Sequence, residues 1–167
     1  MQKPACSGCE SEGLTMIMIR AARHEDWPVW HRLDPELALF LFERKARDRE
    51  AFILYLDGAP AAVLRFQLFL DRYPLLTMLA VDEAYRDQYL GEAFLSQWEQ
   101  DLAQIGYTLA LASENACGED FLRRQGYGRA GQVEWDLKDN QMPVSGIYVK
   151  AIRAGCACGH AEDGKGE

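Results

Sequence analysis

The sequence predicts a mixed α/β domain built on a mainly antiparallel sheet, and three observations support this fold class. An apolar run over residues 75–81 is too short for a helix and is typical of a buried strand. A helical pattern follows it after a short turn and ends at Gly106, a residue that readily adopts the positive φ of a helix C-terminus. Earlier in the chain, Asp57-Gly58 lies between two strand candidates and is a typical hairpin signal.

The other elements follow from apolar spacing and from residues that start or stop helices. Asp26 precedes Trp27 and Pro28, as a capping residue precedes the first turn of a helix. The aromatic side chains of Trp27, Trp30 and Phe40 are assigned to the core, with a substrate groove as the alternative. Strands are predicted at 16–21, 51–56, 62–70, 75–81, 108–113, 133–137 and 145–152, and helices at 24–31, 35–49, 90–105 and 114–125.

Length and composition limit the possible functions. The 167 residues suit one domain, which we place at 16–152 between two cysteine-containing tails, 1–15 and 153–167. A formal charge of −8 without a basic cluster argues against nucleic-acid binding. No apolar run is long enough to span a membrane, and no basic segment followed by an apolar stretch opens the chain. We therefore expect a cytoplasmic protein.

Residues 81–95, VDEAYRDQYLGEAFL, resemble the acyl-CoA-binding motif of the GNAT N-acetyltransferase superfamily. In that family a strand ends in Val, and an Arg or Gln five residues later opens an R-x-x-G-x-G/A turn. Val81 and Arg86 have this spacing, and Gly91 occupies the position of the second glycine. Tyr89 replaces the first glycine, while Gln88-x-x-Gly91-x-Ala93 offers a shifted partial match.

A second cluster resembles the same family. Asn115-x-x-Gly118-x-x-Phe121-Leu122-x-x-x-Gly126-Tyr127 is similar to the N-x-x-A-x-x-F-Y-x-x-x-G-F segment that follows the family's fifth strand. Two clusters in the right order are more specific than either alone. The resemblance implies a GNAT-like fold over residues 16–152, with helices on both faces of the sheet.

The resemblance also implies an activity, the transfer of an acetyl group from acetyl-CoA to an amine of a small molecule or peptide. Acetyl-CoA would be the co-substrate. Backbone groups of the central strand would pair with its acetyl and pantetheine amides, and the following turn would hold its pyrophosphate. The implied cofactor-binding residues are Leu79, Ala80, Val81, Arg86, Asp87, Gln88, Tyr89, Leu90, Gly91, Glu92 and Asn115.

Two departures from the family pattern leave an alternative open. Tyr89 places a large side chain near the expected path of the phosphates. Leu122 stands where the family has the tyrosine that protonates the leaving thiolate. The alternative is therefore a catalytically degenerate member that acts as a CoA-binding sensor or interaction module. Glu114 and Asp71 are candidate general bases; otherwise each is a solvated loop carboxylate, and water carries the proton.

Four of the five cysteines lie in the tails, as Cys6-x-x-Cys9 and Cys156-x-Cys158, with His160 two residues further on. Close cysteine pairs in a cytoplasmic chain favour metal binding over disulfides. Four thiolates, or three with His160, would form a structural zinc site that joins the termini. The alternative is that these thiols bind nothing. A homodimer and a monomer are both compatible with the sequence.

Overall fold

The computed structural model describes residues 15–133 and 145–153, which form one sheet with helices on both faces. The strands are β1 Ile17–Ala21, β2 Ala51–Leu56, β3 Ala59–Phe69, β4 Tyr73–Val81, β5 Leu109–Ser113, β6 Gly128–Val133 and β7 Ser145–Ala151. The α-helices are α1 Trp27–Leu33, α2 Leu39–Arg47, α3 Leu90–Gln104, α4 Glu114–Cys117 and α5 Glu119–Arg124, and short 3-10 helices occupy His24–Asp26 and Glu83–Gln88. No helix among these residues is long and apolar enough to cross a membrane.

The seven strands run in the order β1-β2-β3-β4-β5-β7-β6. Neighbours pair antiparallel except β4 and β5, which are parallel. A parallel pair needs a long crossover connection, and α3 supplies it. The sheet therefore changes its pairing mode at one place, between β4 and β5.

Each face of the sheet carries its own core. On one face, α1 and α2 cover β2 and β3 around Trp30, Phe42, Ile53 and Val63. On the other, α3, α4 and α5 cover the central strands, and the buried side chains include Leu64, Leu76, Phe94, Leu95, Trp98 and Leu122. We call these two sides the α1–α2 face and the α3–α5 face.

Partly buried ion pairs tie the helices to the sheet. On the α3–α5 face, Glu99 of α3 accepts hydrogen bonds from the Tyr127 hydroxyl at 2.8 Å and from Lys150 Nζ on β7 at 2.6 Å. At the start of the chain, the Arg20 guanidinium donates to both oxygens of Asp26 at 2.7 and 2.8 Å. These charges are paired and hydrogen-bonded, which is the condition for burying them.

The predicted fold class is confirmed, including helices on both faces, but several boundaries were wrong. Helix α2 begins at Leu39 and not at 35, because residues 34–38 form a turn that ends with Ala38 in an extended conformation. The predicted helix 114–125 is two helices, since Gly118 has a φ of +86° that an α-helix cannot accommodate. Phe40 was wrongly placed in the core, because its side chain is 69% exposed.

Only Val133 of the strand predicted at 133–137 lies among the described residues, so most of that prediction is untested. The structure has β6 at Gly128–Val133, paired with β7, and residues 134–137 lie outside the described part of the chain. Strand β6 is an exposed edge strand of sequence GRAGQV, so it has almost none of the apolar signal by which a strand is recognised.

Candidate functional site

The sheet opens where its pairing changes. Strands β4 and β5 pair only at Leu75–Leu111 and Leu76–Ala112. Beyond those pairs β4 continues for five more residues, 77–81, whereas β5 ends at Ser113. The edge of residues 77–81 that faces β5 therefore has no strand partner there, and its backbone groups are available to a ligand. We call this opening the fork.

A β-bulge lies at the base of the fork. In the β3–β4 ladder Arg65 pairs with Met78 and Phe66 pairs with Leu76, so Thr77 is one extra residue. A bulge bends its strand and increases the local twist. The bulge thus coincides with the point at which β4 leaves β5, and it favours the divergence of the two strands.

Helix α3 begins close to the carboxyl end of β4. After the 3-10 helix of residues 83–88, Tyr89 adopts left-handed angles, φ 54° and ψ 22°, and no side chain caps the helix there. The first amides of a helix have no partner within it, and the helix dipole makes this end favourable for an anion. The turn is therefore a candidate anion site, and the Tyr89 side chain beside it is 76% exposed.

Gly91 brings the two sequence clusters into contact. A Cβ placed on Gly91 would lie 3.6 Å from Val81 Cγ2 and 3.6 Å from Phe121 Cε2. The start of α3 is therefore in contact with both the end of β4 and helix α5. Sequence reasoning placed Gly91 in the phosphate turn, and the structure adds that it leaves room for Phe121.

The charged groups around this turn are exposed or paired. Arg86 Nη2 lies 3.2 Å from Glu83 Oε1, and its side chain is 65% exposed, so it can turn toward a ligand. Asp82 caps the 3-10 helix by accepting from the Ala84 amide at 3.1 Å, and it also pairs with Arg32 of α1 at 3.0 Å. Of the predicted cofactor residues, Asp87 and Gln88 lie within the 3-10 helix, and Asn115 is exposed on α4.

The two candidate bases are far apart. Asp71 lies in the exposed β3–β4 turn, at the opposite end of β4 from Val81, and the nine residues of that strand span about 30 Å. Glu114 follows β5 directly, but its Oε2 accepts from the Gly146 amide at 3.0 Å. Gly146 belongs to β7, which is the neighbour of β5 on the side away from β4. Only Glu114 therefore lies at the same end of the sheet as the fork.

The Cys117 thiol and the Tyr127 hydroxyl are poor proton donors. Leu122, at the family's tyrosine position, is fully buried in the α3–α5 core. The Tyr127 hydroxyl is held by Glu99, and burial, reinforced by that carboxylate, raises the Tyr127 pKa far above its ordinary range. Burial also raises the pKa of the Cys117 thiol to about 12.

The Acetyltransferase (GNAT) family model matches residues 16–127, about two thirds of the chain. This chain belongs to the GNAT family. Its predicted membership is therefore confirmed, and the fork and the α3 turn are the parts of this GNAT domain that carry the family motif. No curated protein matches the chain by sequence.

Solved structures agree with the family assignment at the level of the fold. The ribosomal-protein-S18-alanine N-acetyltransferase from Escherichia coli has a TM-score of 0.67 at 22% identity, covering 87% of this chain and 100% of that one. Ard1 from Thermoplasma volcanium has a TM-score of 0.69 at 12% identity, covering 81% of this chain and 97% of that one. N-acetylglutamate synthase from Neisseria gonorrhoeae, complexed with coenzyme A and N-acetyl-glutamate, gives 0.67 at 22%, covering 83% of this chain and 35% of that one.

Sequence reasoning missed a set of hydroxyl groups in this GNAT domain. Ser113 Oγ lies 2.9 Å from Ser145 Oγ, and Thr77 Oγ1 accepts from Arg65 Nη1 at 3.3 Å. All three hydroxyl residues occur in strands. A polar residue in a short apolar strand was the available signal, but the sequence does not show that these three lie near one another.

The predicted zinc ligands Cys6, Cys9, Cys156 and Cys158 lie outside the described residues, as does His160. Within residues 15–133 and 145–153, no group of three or more His, Cys, Asp or Glu side chains is arranged to hold a metal ion. The zinc site thus stays a prediction. Metal analysis of the full chain, purified without chelator, tests it.

Proposed function

We propose that this GNAT-family protein is an N-acetyltransferase that moves the acetyl group of acetyl-CoA to a primary amine of a small molecule or peptide. One observation supports this above the others: the unpaired edge of β4 runs directly toward the uncapped start of α3. An extended ligand with amides at one end and phosphates at the other matches that succession of groups.

In this proposal the pantetheine arm lies in the fork. Its amides would pair with backbone groups of Leu79, Ala80 and Val81, because this edge has no strand partner. The pyrophosphate would bind the amides between Arg86 and Glu92 at the start of α3, where the dipole favours negative charge. Arg86 would exchange its exposed partner Glu83 for a phosphate, and Asn115 would contact the cofactor from α4.

The transfer needs a neutral amine and a leaving thiolate. The amine nitrogen attacks the thioester carbonyl carbon, the C–N bond forms, and the C–S bond breaks with its electron pair going to sulfur. The nitrogen loses one proton to water, and the thiolate takes one from water. With Leu122 in place of a general acid we expect a slow enzyme, since such an acid contributes about 10²–10⁴-fold. A thiol pKa near 8.5, by analogy with cysteine, keeps the thiolate a workable leaving group.

Of the two candidate bases, only Glu114 would lie near the reaction. Asp71 is at the far end of β4 and takes no part. Glu114 holds the start of β7 through the Gly146 amide, and a water molecule beside it would carry the amine proton. The degenerate alternative, a CoA-binding sensor, rests only on the departures of the sequence from the family pattern at Tyr89 and Leu122.

Calorimetric titration of acetyl-CoA tests the proposal, with desulfo-CoA and inorganic phosphate as controls. We expect micromolar affinity for acetyl-CoA and acetylation of at least one amine from a panel of small amines and peptides. Gly91→Trp should lower the affinity for acetyl-CoA by about 100-fold, because the indole would displace Val81 and Phe121 from the start of α3.

Gly131→Trp is the matched control for that substitution. Gly131 lies in β6, and a Cβ there meets no atom within 4 Å. Arg86→Ala provides a second variant that removes no buried contact, and melting curves establish that each variant is folded. Absence of binding to the wild-type protein at millimolar acetyl-CoA would contradict the proposal. Binding without acetylation of any amine would favour the sensor.

A further inference from the structure

Three hydroxyl groups follow one another across the base of the fork. Thr77 and Ser113 each lie one residue beyond the last β4–β5 pair, Leu76–Ala112, so they occupy the two sides of the opening. Ser113 Oγ lies 2.9 Å from Ser145 Oγ on the next strand, β7. The row of Thr77, Ser113 and Ser145 thus crosses β4, β5 and β7. We call it the hydroxyl row.

All three side chains are on the α1–α2 face. Ala112 and Tyr148 pack in the α3–α5 core, so their strand neighbours Ser113 and Ile147, which are paired with each other, point the other way. Ser145 is two residues from Ile147 and shares its face. Thr77 is on this face as well, because it contacts the Arg65 guanidinium, which is bound to Asp34, the residue that follows α1.

The Thr77 hydroxyl is oriented by a buried ion pair. It donates to the Arg65 carbonyl at 3.2 Å and accepts from Arg65 Nη1 at 3.3 Å. Arg65 Nε in turn donates to Asp34 Oδ2 at 2.7 Å, and Trp30 Nε1 donates to the same oxygen at 3.3 Å. Asp34 is only 1% exposed, so the carboxylate balances the guanidinium charge behind the row.

This orientation determines what the row can bind. A hydroxyl has one donor and two acceptor positions. Thr77 has used its donor and one acceptor position, so it retains one acceptor position for an N–H group. In the Ser113–Ser145 pair one hydroxyl donates to the other. The accepting hydroxyl keeps its own O–H, which can donate to a lone pair of a ligand. The two serines also keep unused acceptor positions, so the row as a whole offers several acceptors for N–H groups and one free O–H donor, and it has no net charge.

A neutral primary amine has the complementary groups, two N–H donors and one lone pair. A protonated amine has no lone pair to accept the free O–H, and uncharged hydroxyls compensate its charge less well than a carboxylate does. Met78, Leu111 and Ile147 lie on the same face of the same strands and are partly exposed. The surroundings therefore favour an apolar group next to the nitrogen.

We propose that Thr77, Ser113 and Ser145 are positioning residues that hold the acceptor as a neutral amine attached to an apolar group. This inference rests on the proposed acetyl transfer, since it assigns the second substrate of the same site. It places the acceptor on the α1–α2 face of the fork. The amine then loses its proton before it binds productively, so the ionisation of the amine itself controls the rate.

The pH dependence of kcat/KM distinguishes this from a base on the protein. The probes are an alanyl dipeptide amide, whose α-amine pKa is roughly 7.7–8.0, and isoamylamine, whose pKa is near the lysine value of about 10.4. We expect kcat/KM to level off near pH 8 for the dipeptide and to keep rising beyond pH 10 for isoamylamine. The same inflection for both amines would overturn the proposal.

Variants of the row test the positions themselves. Thr77→Val and Ser113→Ala should each lower kcat/KM for both probes by about 10-fold, mainly through KM, and leave acetyl-CoA affinity unchanged. Ser113→Thr, which keeps the hydroxyl, should restore most of the loss. Ser96→Ala on the exposed surface of α3 is the matched control. Unchanged kcat/KM in both row variants would contradict the assignment.

Amine binding gives a readout that needs no turnover. Titration of isoamylamine at pH 10, followed by the side-chain ¹³Cβ signals of Thr77, Ser113 and Ser145, should show shifts, and Thr77→Val should weaken those of the two serines. If the wild-type protein neither binds nor uses acetyl-CoA but these shifts are present, the transfer proposal fails and the amine site holds. If they are absent at millimolar amine, the hydroxyl row is not an amine site.

Discussion

The two halves of β4 have the same strand conformation and opposite surroundings. In residues 73–76 the strand pairs with β3, and at Leu75 and Leu76, which are 7% and 0% exposed, it also pairs with β5 on its other edge. In residues 77–81 it pairs with β3 alone, and four of the five side chains are partly exposed. The first half joins the two parts of the sheet. The second half leaves backbone groups free for a ligand.

The comparison shows how one strand can support stability and binding together. A backbone group that already has a partner in the sheet cannot bind a ligand, and one without a partner needs a ligand or water. The bulge at Thr77 is the boundary between the two: β4 is paired with β5 just before this residue and has no partner on that edge from this residue onward. We therefore expect substitutions on either side of it to affect different measurements.

The largest effect should come from Leu76→Ala in the doubly paired half. Leu76 is fully buried in the α3–α5 core, so its truncation should lower the free energy of unfolding by about 2–5 kcal/mol. Met78→Ala, two residues along, is the matched variant in the other half. It should change the free energy of unfolding by less than about 1 kcal/mol and mainly reduce acetyl transfer. Urea titration and kinetics measure both, and equal destabilisation by the two variants would remove the distinction.

An intermediate effect is expected at Asp26, in the 3-10 helix that contacts the antiparallel strands β1 and β2. Hydrogen bonds from Arg20 lower the Asp26 pKa below its ordinary value, so the folded protein binds this proton more weakly than the unfolded chain. The stabilisation is complete above about pH 4 and is lost as pH falls toward the folded pKa. Asp26→Asn should reduce the free energy of unfolding at pH 7 by about 1–3 kcal/mol. The variant should also lose less of this free energy than the wild type does when the pH falls below 4.

Acetyl-CoA affinity at pH 7 serves as the control for that prediction. Asp26 contacts β1, β2 and the start of α1, and the fork lies between β4 and β5. Folded Asp26→Asn should therefore bind acetyl-CoA like the wild type. A parallel loss of affinity would show that the two parts of the sheet are coupled.

The smallest effect should come from Tyr89→Gly at the start of α3. Glycine relieves the left-handed φ of 54° but loses more conformational freedom on folding, so stability should change by less than about 1 kcal/mol. Removal of the ring should strengthen acetyl-CoA binding by a few-fold, because the phosphates would approach the turn more freely. Weaker binding, measured by calorimetry, would show instead that the exposed ring contributes a contact to the cofactor.

Much of the framework was predictable because it depends on local patterns. The apolar run at 75–81, the helix that follows and the Asp57-Gly58 turn each have short-range signals, and the structure has all three. The first family cluster correctly indicated the end of β4 and the start of α3. Gly91 in the first cluster and Phe121 in the second prove to be neighbours.

The rest depends on pairing between distant strands, which local patterns do not contain. One extra residue in an apolar strand leaves no compositional trace, so the Thr77 bulge was invisible. The same holds for Glu114, whose identity is plain in the sequence but whose carboxylate is directed to Gly146 by the strand order. Asp71 was chosen as a loop carboxylate near β4, and only the topology shows which end of that strand it occupies.

The bulge at Thr77 also has a consequence at the level of the gene. A single codon supplies the residue that interrupts the β3–β4 ladder, while the apolar residues that build the core are encoded on either side of it. Removing that codon would let the ladder run on without interruption. An opening in a sheet can thus be gained or lost by a three-nucleotide insertion or deletion, without a change in core composition. Closely related chains of this family could differ in activity through such a step alone.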